Sequence, residues 1–290
     1  MLDETLRVID YKVLHNRPMY CSYICGPCDG LYYVYENYGI GRALWNPAMN
    51  EFKTLPKIIC KPDLLAEFTY SRYEVYGFGF DHVTRDYKVV VMKGYRNSND
   101  DSDLKHPVSV LVYSLNTDSW RYCGDLAKAY NLENNKCYTY VNGSYYWLGS
   151  FEYISEVIIS FDMANDSFKE IDVPDYAQPS SNCLAVYDDT LAFLSLHIVE
   201  ENFHIWTWSK GCWTKKFTVG PFPNFLTKSW HPIGHWKNYL LLLSKGYGLV
   251  LFDPLTQERK DLAFQTHLLC RGVFVYMESL VSIKDKNEAG

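Results

Sequence analysis

Three thiols head the groups that could do chemistry: Cys21, Cys25 and Cys28. Their C-x3-C-x2-C spacing is one used to hold an iron–sulfur cluster, which needs thiolates converging from a loop. Here Cys21 and Cys25 fall instead on one face of an apparent strand, CSYICG. His231 and His235 stand four apart, but Pro232 and Gly234 between them deny the helix that such a zinc pair requires. Asp81 beside His82, and Asp188 beside Asp189, are candidate acid–base pairs; the second pair sits in a turn, where short acidic side chains bond their own backbone. No Ser–His–Asp, phosphate-loop or dinucleotide motif stands in its strand–turn–helix context. Gly77-x-Gly79 lies inside a strand pattern and marks a bulge or a close approach. The expectation is a chain with no catalytic, metal or cofactor site.

The elements that would position these groups are written in a repeat. Val110 to Arg121, VLVYSLNTDSWR, is a strand, a polar turn and a returning strand, with side chains alternating at the period of two. Trp45 and Phe52 flank NPAMNE in the same way, Phe161 and Phe168 flank DMANDS, and Trp206 and Trp213 flank TWSKGC. Phe252 opens a fifth copy in which Arg259 replaces the second aromatic. The second marker always follows the first by seven residues, and the last three steps between copies are 48, 45 and 46 residues. A period in the forties with several strands per unit is that of propeller blades. Each unit also carries a front hairpin, as in CYTYV-NG-SYYWLG, where Asn142-Gly143 is a strong hairpin signal.

Units therefore run from Tyr20 to Pro56, Tyr73 to Cys123, Cys137 to Val173, Asn182 to Val219 and Pro232 to Leu262. Gly272 to Ile283 reads as half a unit more, and Leu6 to Val13 as an orphan strand. Since an open ring leaves two bare sheet edges, the expected fold is all-β: one domain over 1–290, a six-bladed propeller of four-stranded antiparallel blades. Residues 1–19 supply the closing strand and its lead-in loop, 20–283 the blades and 284–290 a frayed tail. Aromatics at 17% suit short packed strands. A net charge of −6 disfavours nucleic acid as the main partner. The N-terminus lacks a signal pattern and no apolar run spans a bilayer, so a cytoplasmic chain with reduced thiols is expected.

CGPCDGL at 25–31 followed by LWNP at 44–47 resembles the start of plant F-box-associated domains. YGFGFDHVTRDYKVV at 76–90, VYSLNTDSW, SFDMANDSFKEI and YMESLVSI are similar to that family's successive motifs, in order along nearly the whole chain. CWTKKFTV and HWKNYLLLL look most like S-locus F-box proteins and their relatives. The resemblance implies a hairpin turn at Gly26-Pro27-Cys28. It also implies a non-catalytic substrate receptor of a Skp–cullin–F-box ubiquitin ligase, with S-RNases as substrates in self-incompatibility. No F-box precedes residue 1, so Skp-adaptor and cullin contacts are expected only through a segment absent here. The competing classes are a propeller glycosidase or lyase, which needs carboxylates converging on the channel, and a lectin with aromatic platforms in equivalent loops.

Loops of a four-stranded blade alternate between the two faces of the disc. Turns joining first to second and third to fourth strands are short here. Second-to-third and blade-to-blade links are long, among them 58–72, 95–107, 124–136, 174–181 and 220–229. Recognition is expected on the long-loop face. Asp100, Asp101 and Asp103 in NSNDDSD, joined by Glu200 and Glu201, are the expected contacts for a basic partner protein.

Overall fold

Asn46, Asp162 and Asp253 each end a strand in the same way: the side-chain Oδ1 accepts the backbone N–H groups two and three residues ahead, at 2.8–3.3 Å. Such side chains reproduce a backbone turn, and in these three blades the polar residue after the first aromatic marker closes the hairpin. The aromatic markers then face each other across the ladder: Trp45 pairs with Phe52, Tyr113 with Trp120, and Phe161 with Phe168. Each pair brings its rings to 4.9–5.6 Å.

The computed structural model describes residues 23–36, 41–58, 72–95, 108–126, 128, 130–132, 139–151, 155–175, 182–197, 199–221, 231–236, 239–243, 248–265 and 276–284. They form five consecutive four-stranded antiparallel blades. Blade one holds β1 (Tyr23–Cys28), β2 (Leu31–Tyr35), β3 (Arg42–Asn46) and β4 (Glu51–Thr54). Blade two holds β5 (Arg72–Asp81), β6 (Asp86–Tyr95), β7 (Ser109–Ser114) and β8 (Ser119–Asp125). Blade three holds β10 (Thr139–Val141), β11 (Ser144–Phe151), β12 (Ser155–Asp162) and β13 (Ser167–Asp172), with a two-residue β9 (Asn131–Leu132) added beside β11. Blade four holds β14 (Asn182–Tyr187), β15 (Thr190–His197), β16 (Asn202–Ser209) and β17 (Cys212–Val219). Blade five holds β18 (His231–Trp236), β19 (Tyr239–Leu243), β20 (Gly248–Phe252) and β21 (Arg259–Gln265).

The blades meet along their inner strands, β1 against β5, β5 against β10, β10 against β14 and β14 against β18. The Gly77-x-Gly79 pattern is a close approach. A Cβ on Gly77 would stand 2.6 Å from the Trp147 indole, and one on Gly79 would stand 2.5 Å from the Tyr140 ring. Both rings donate back to β5, Trp147 Nε1 to the Tyr76 carbonyl at 2.9 Å and Tyr140 OH to the Phe80 carbonyl at 2.8 Å. Trp147 and Tyr140 thus fill the seam between blades two and three; β1 and β10 also touch.

Four sequence expectations need correction. Among the described residues the blade count is five, not six. The described part of the expected sixth blade, 276–283, forms no strand. It lies as a strap along the short-turn end of blade one, because polar groups of that blade take up its backbone. Asn46 Nδ2 donates to the Ser279 and Val281 carbonyls at 3.0 and 2.8 Å, and the buried Glu51 carboxylate accepts the Ile283 N–H at 3.0 Å and the Ser282 hydroxyl. Residues 1–22, which contain the expected closing strand, and 266–275 lie outside the described residues, as does 285–290. Second, Gly26-Pro27-Cys28 is not the hairpin turn. Its Gly26–Pro27 bond is cis, a bulge keeps the segment in β1, and the turn follows at Asp29-Gly30, both at positive φ. Third, blade four turns on only Lys210-Gly211, so Trp213 faces Trp208 while Trp206 faces Lys215. Fourth, the blade-two-to-three link is not all loop, since it contributes β9.

Candidate partner-recognition surface

The short-turn face is occupied by ties between its own blades. Lys88 on β6 reaches Asp81 Oδ2 at 2.8 Å, the Met163 carbonyl at 2.6 Å and Asp166 at 3.3 Å, and Asp166 also pairs with Arg121. Burial alone would raise the Asp81 carboxyl. Hydrogen bonds from Lys88, Thr84 and the Val83 N–H overcome this and take it down to about 2. Asp81 is therefore a fixed anion anchoring a turn. His82 points elsewhere, edge-on to Phe80 at 5.0 Å, so the two do not act as an acid–base pair. Asp188 and Asp189 form the β14–β15 turn at φ 50 and 53, and the Asp189 carbonyl accepts Asn142 Nδ2 from blade three.

The buried thiols are equally structural. Burial pushes Cys25 up to about 12 and raises Cys28 further, so neither offers a thiolate near neutrality. Cys21 lies outside the described residues, and the side chains of His231 and His235 are likewise not among those described.

On the opposite face, a charged cluster joins blades one and two. Glu74 accepts Arg42 Nη2 at 2.6 Å and Lys93 Nζ at 2.8 Å, and it accepts the Tyr76 hydroxyl. Burial opposes its charge, yet the two cations and these hydrogen bonds hold its carboxyl below the ordinary range. Sequence reasoning missed this cluster, since its four members are scattered over three strands. Arg42, Glu74 and Lys93 share only the signal of charge within strands, and Tyr76 carries not even that.

Of the expected partner contacts, Asp100, Asp101 and Asp103 lie outside the described residues. Glu200 and Glu201 sit on this face in the β15–β16 turn, Glu200 exposed and Glu201 half-buried at φ 53. Val199 beside them is 84% exposed. Glu200 does not stand alone. Its Oε2 accepts Asn202 Nδ2 at 3.0 Å, and its oxygens lie 3.8 Å from His197 Nδ1 and 3.6 Å from His204 Nε2.

Residues 3–235 match the model of the F-box associated beta propeller domain. The chain belongs to that family. An F-box/kelch-repeat protein of Arabidopsis thaliana is 25% identical over 271 residues, covering 90% of this chain and 69% of its own length. The F-box protein CPR1 of the same plant is 27% identical over 201 residues, 61% of this chain and 47% of its own. The chain thus spans between about half and two thirds of these two relatives. Among solved structures, an oligogalacturonate lyase from Vibrio parahaemolyticus superposes with a TM-score of 0.49 at 7% identity, covering 80% of this chain and 62% of that one. The likeness is too distant to carry a functional argument. No helix among the described residues is long and apolar enough to cross a membrane.

Proposed function

We propose that this propeller is the non-catalytic substrate receptor of a Skp–cullin–F-box ubiquitin ligase, holding a protein while partner subunits transfer ubiquitin. The family match over residues 3–235 is the observation that carries the reading, and F-box proteins among its relatives agree with it. Skp adaptor and cullin engage through an F-box, which in this reading lies in another segment of the protein, and the complex works in the cytoplasm. The finer reading takes a basic S-RNase of a self-incompatibility system as substrate. It rests on the resemblance of CWTKKFTV and HWKNYLLLL to S-locus members.

The partner is met on the long-loop face, through Asp100, Asp101, Asp103, Glu200 and Glu201. This is supported by the occupation of the short-turn face with inter-blade bonds and by the exposure of Glu200. A second reading is favoured by a separate observation. Met277 and Leu280 are exposed on the strap, Met49 on the β3–β4 turn to which the strap is tied and Val83 on the β5–β6 turn of the next blade, Leu280 at 87%, and exposed apolar surface of this kind marks interaction sites.

One experiment tests both. The chain is fused behind an F-box segment and expressed in plant cells, and proteins are sought that it both captures and, under proteasome inhibition, ubiquitinates. Charge reversal of the five acidic residues to Lys should abolish capture, whereas Val83→Asp with Leu280→Asp should leave it intact. The opposite pattern places the partner on the short-turn face, and capture without ubiquitination refutes the receptor reading.

A further inference from the structure

Two stacked histidines stand directly behind the exposed Glu200. His197 ends β15 and pairs with Asn202 across the ladder, while His204 lies two residues further along β16, opposite Ser195. Their rings stack with centroids 5.5 Å apart and planes 29° from parallel. Glu200 bends back over both from the turn, at 3.8 and 3.6 Å. Neither distance is a formed hydrogen bond. His197 Nδ1 is buried and has no hydrogen-bond partner.

A neutral imidazole offers one N–H and one lone pair; an imidazolium offers two donors. With both rings neutral, the arrangement leaves a buried ring nitrogen unsatisfied beside a carboxylate that does not quite reach it. A proton changes that balance. Glu200 then gains a charge-assisted bond by moving less than an ångström or so, and His197 Nδ1 gains its missing partner. We infer that the β15–β16 turn is a proton-operated switch: with neutral histidines Glu200 is free to pair with a cationic group of a bound protein, and with a protonated pair it is drawn down onto the imidazoles.

The groups packed around the pair fix how it works. Lys215 on β17 is the cation facing His204, and it lies 6.0 Å from the Trp206 ring. Glu200 is the facing anion, and Glu201 is the remaining charged residue of the turn. Burial and Lys215 hold the His204 imidazolium below its ordinary range against the pull of Glu200. The Asn202 hydrogen bond lowers the Glu200 carboxyl, with the histidines adding to it, so this side chain is still an anion when the rings begin to protonate. Two stacked imidazolium ions repel each other, so a single proton, belonging to the pair, operates the turn. A ligand shifts such an equilibrium only by its differential affinity for the two states. A cationic partner group therefore favours the neutral pair, and mild acid releases it.

The inference deepens the receptor reading, because the consequence for binding rests on Glu200 being a contact. The switch itself is read without any partner. In the full 290-residue chain, labelled for NMR, the imidazole resonances and the Val199, Glu200 and Glu201 amides are followed from pH 8 to pH 4. The expected result is one shared midpoint, lost from the amides in the His197→Gln/His204→Gln double variant and in Glu200→Gln. If the turn amides move only with the carboxylates, or move unchanged in the double variant, the switch is refuted. Binding of a nona-arginine peptide at low salt supplies the second arm. It should weaken about two- to fivefold from pH 7.5 to the acid side of the midpoint, the size of one exposed ion pair, and the double variant should lose that extra weakening. Coincident amide titration with pH-independent peptide binding would support the switch and overturn Glu200 as a contact.

Discussion

Replacing Gly77 with alanine tests whether blades two and three are joined as closely as the packing requires. Gly77 has ordinary strand geometry, so an added methyl introduces no left-handed strain. It would, however, stand 2.6 Å from Trp147 Cζ2 and 2.9 Å from Tyr145 Cδ1. Trp147 is fully buried and cannot swing into solvent. Restoring ordinary contact needs the indole to retreat by about an ångström, since carbon atoms rest near 3.5–4.0 Å. That retreat stretches the 2.9 Å bond from Trp147 Nε1 to the Tyr76 carbonyl. Overpacking costs about 1–3 kcal/mol, and a buried N–H left without its acceptor costs about 1–3 kcal/mol more. The expected loss is about 2–6 kcal/mol, or a fall in melting temperature of roughly 4–12 °C at about 2 °C per kcal/mol for a chain of this size. Denaturant and thermal melts followed by tryptophan fluorescence would measure it. Trp147→Phe removes the atom in the way, so the double variant should show coupling of about 1 kcal/mol or more. A Gly77→Ala protein that melts within a degree of the parent, or costs that simply add, would refute the account.

Other outcomes follow from single residues. Glu51→Ala should free the strap at Ser282 and Ile283, costing about 1–3 kcal/mol for the backbone donor left behind; hydrogen exchange at the Ile283 amide should accelerate before that of the β2 and β3 amides. Asp81 is depressed to about 2, so its contribution is fully present above the unfolded carboxyl value near 3.9 and is lost as pH falls through about 2. Asp81→Asn should therefore flatten the acid limb of a stability curve between about pH 4 and 2, with little change in slope above pH 5.

Most of the blade plan is legible because one hairpin is written five times. Trp45, Tyr113 and Phe161 each meet an aromatic seven residues on, and a polar side chain stands ready to close the turn between them. The reading fails where a local signal has two structural meanings. In YMESLVSI, Val281 and Ile283 alternate as a strand would, but the backbone at Ser279, Val281 and Ile283 bonds to Asn46 and Glu51 rather than to a ladder. Nothing within that segment says that its partners lie more than two hundred residues earlier. Gly26-Pro27 carries the composition of a turn, yet the chain resumes pairing at Cys28 with Leu31, and Asp29-Gly30 makes the bend. In blade four the seven-residue spacing survives while the register does not, since a two-residue turn at Lys210-Gly211 replaces the four-residue one.

The same distinction governs the candidate surface. A run such as VEEN is read from sequence as surface charge, and Glu200 is exposed in the β15–β16 turn. It does not reveal that strand pairing brings His197 and His204 to one side of the sheet, with their rings stacked beneath the carboxylate. Net charge is a property of composition, whereas the response of a charge to protons depends on which groups face it. His197 is opposite Asn202 and not opposite His204; only the diagonal offset across β15 and β16 brings the rings together with Glu200 over both. Shift the turn by one residue and the side chains alternate to opposite faces of the blade, leaving an exposed acid with no proton sensor. A one-residue insertion between Val199 and Glu200 should therefore abolish the amide titration at Glu200 while leaving the net charge of the loop unchanged. A titration that survives such an insertion would mean that the coupling is carried by charge in the loop rather than by register.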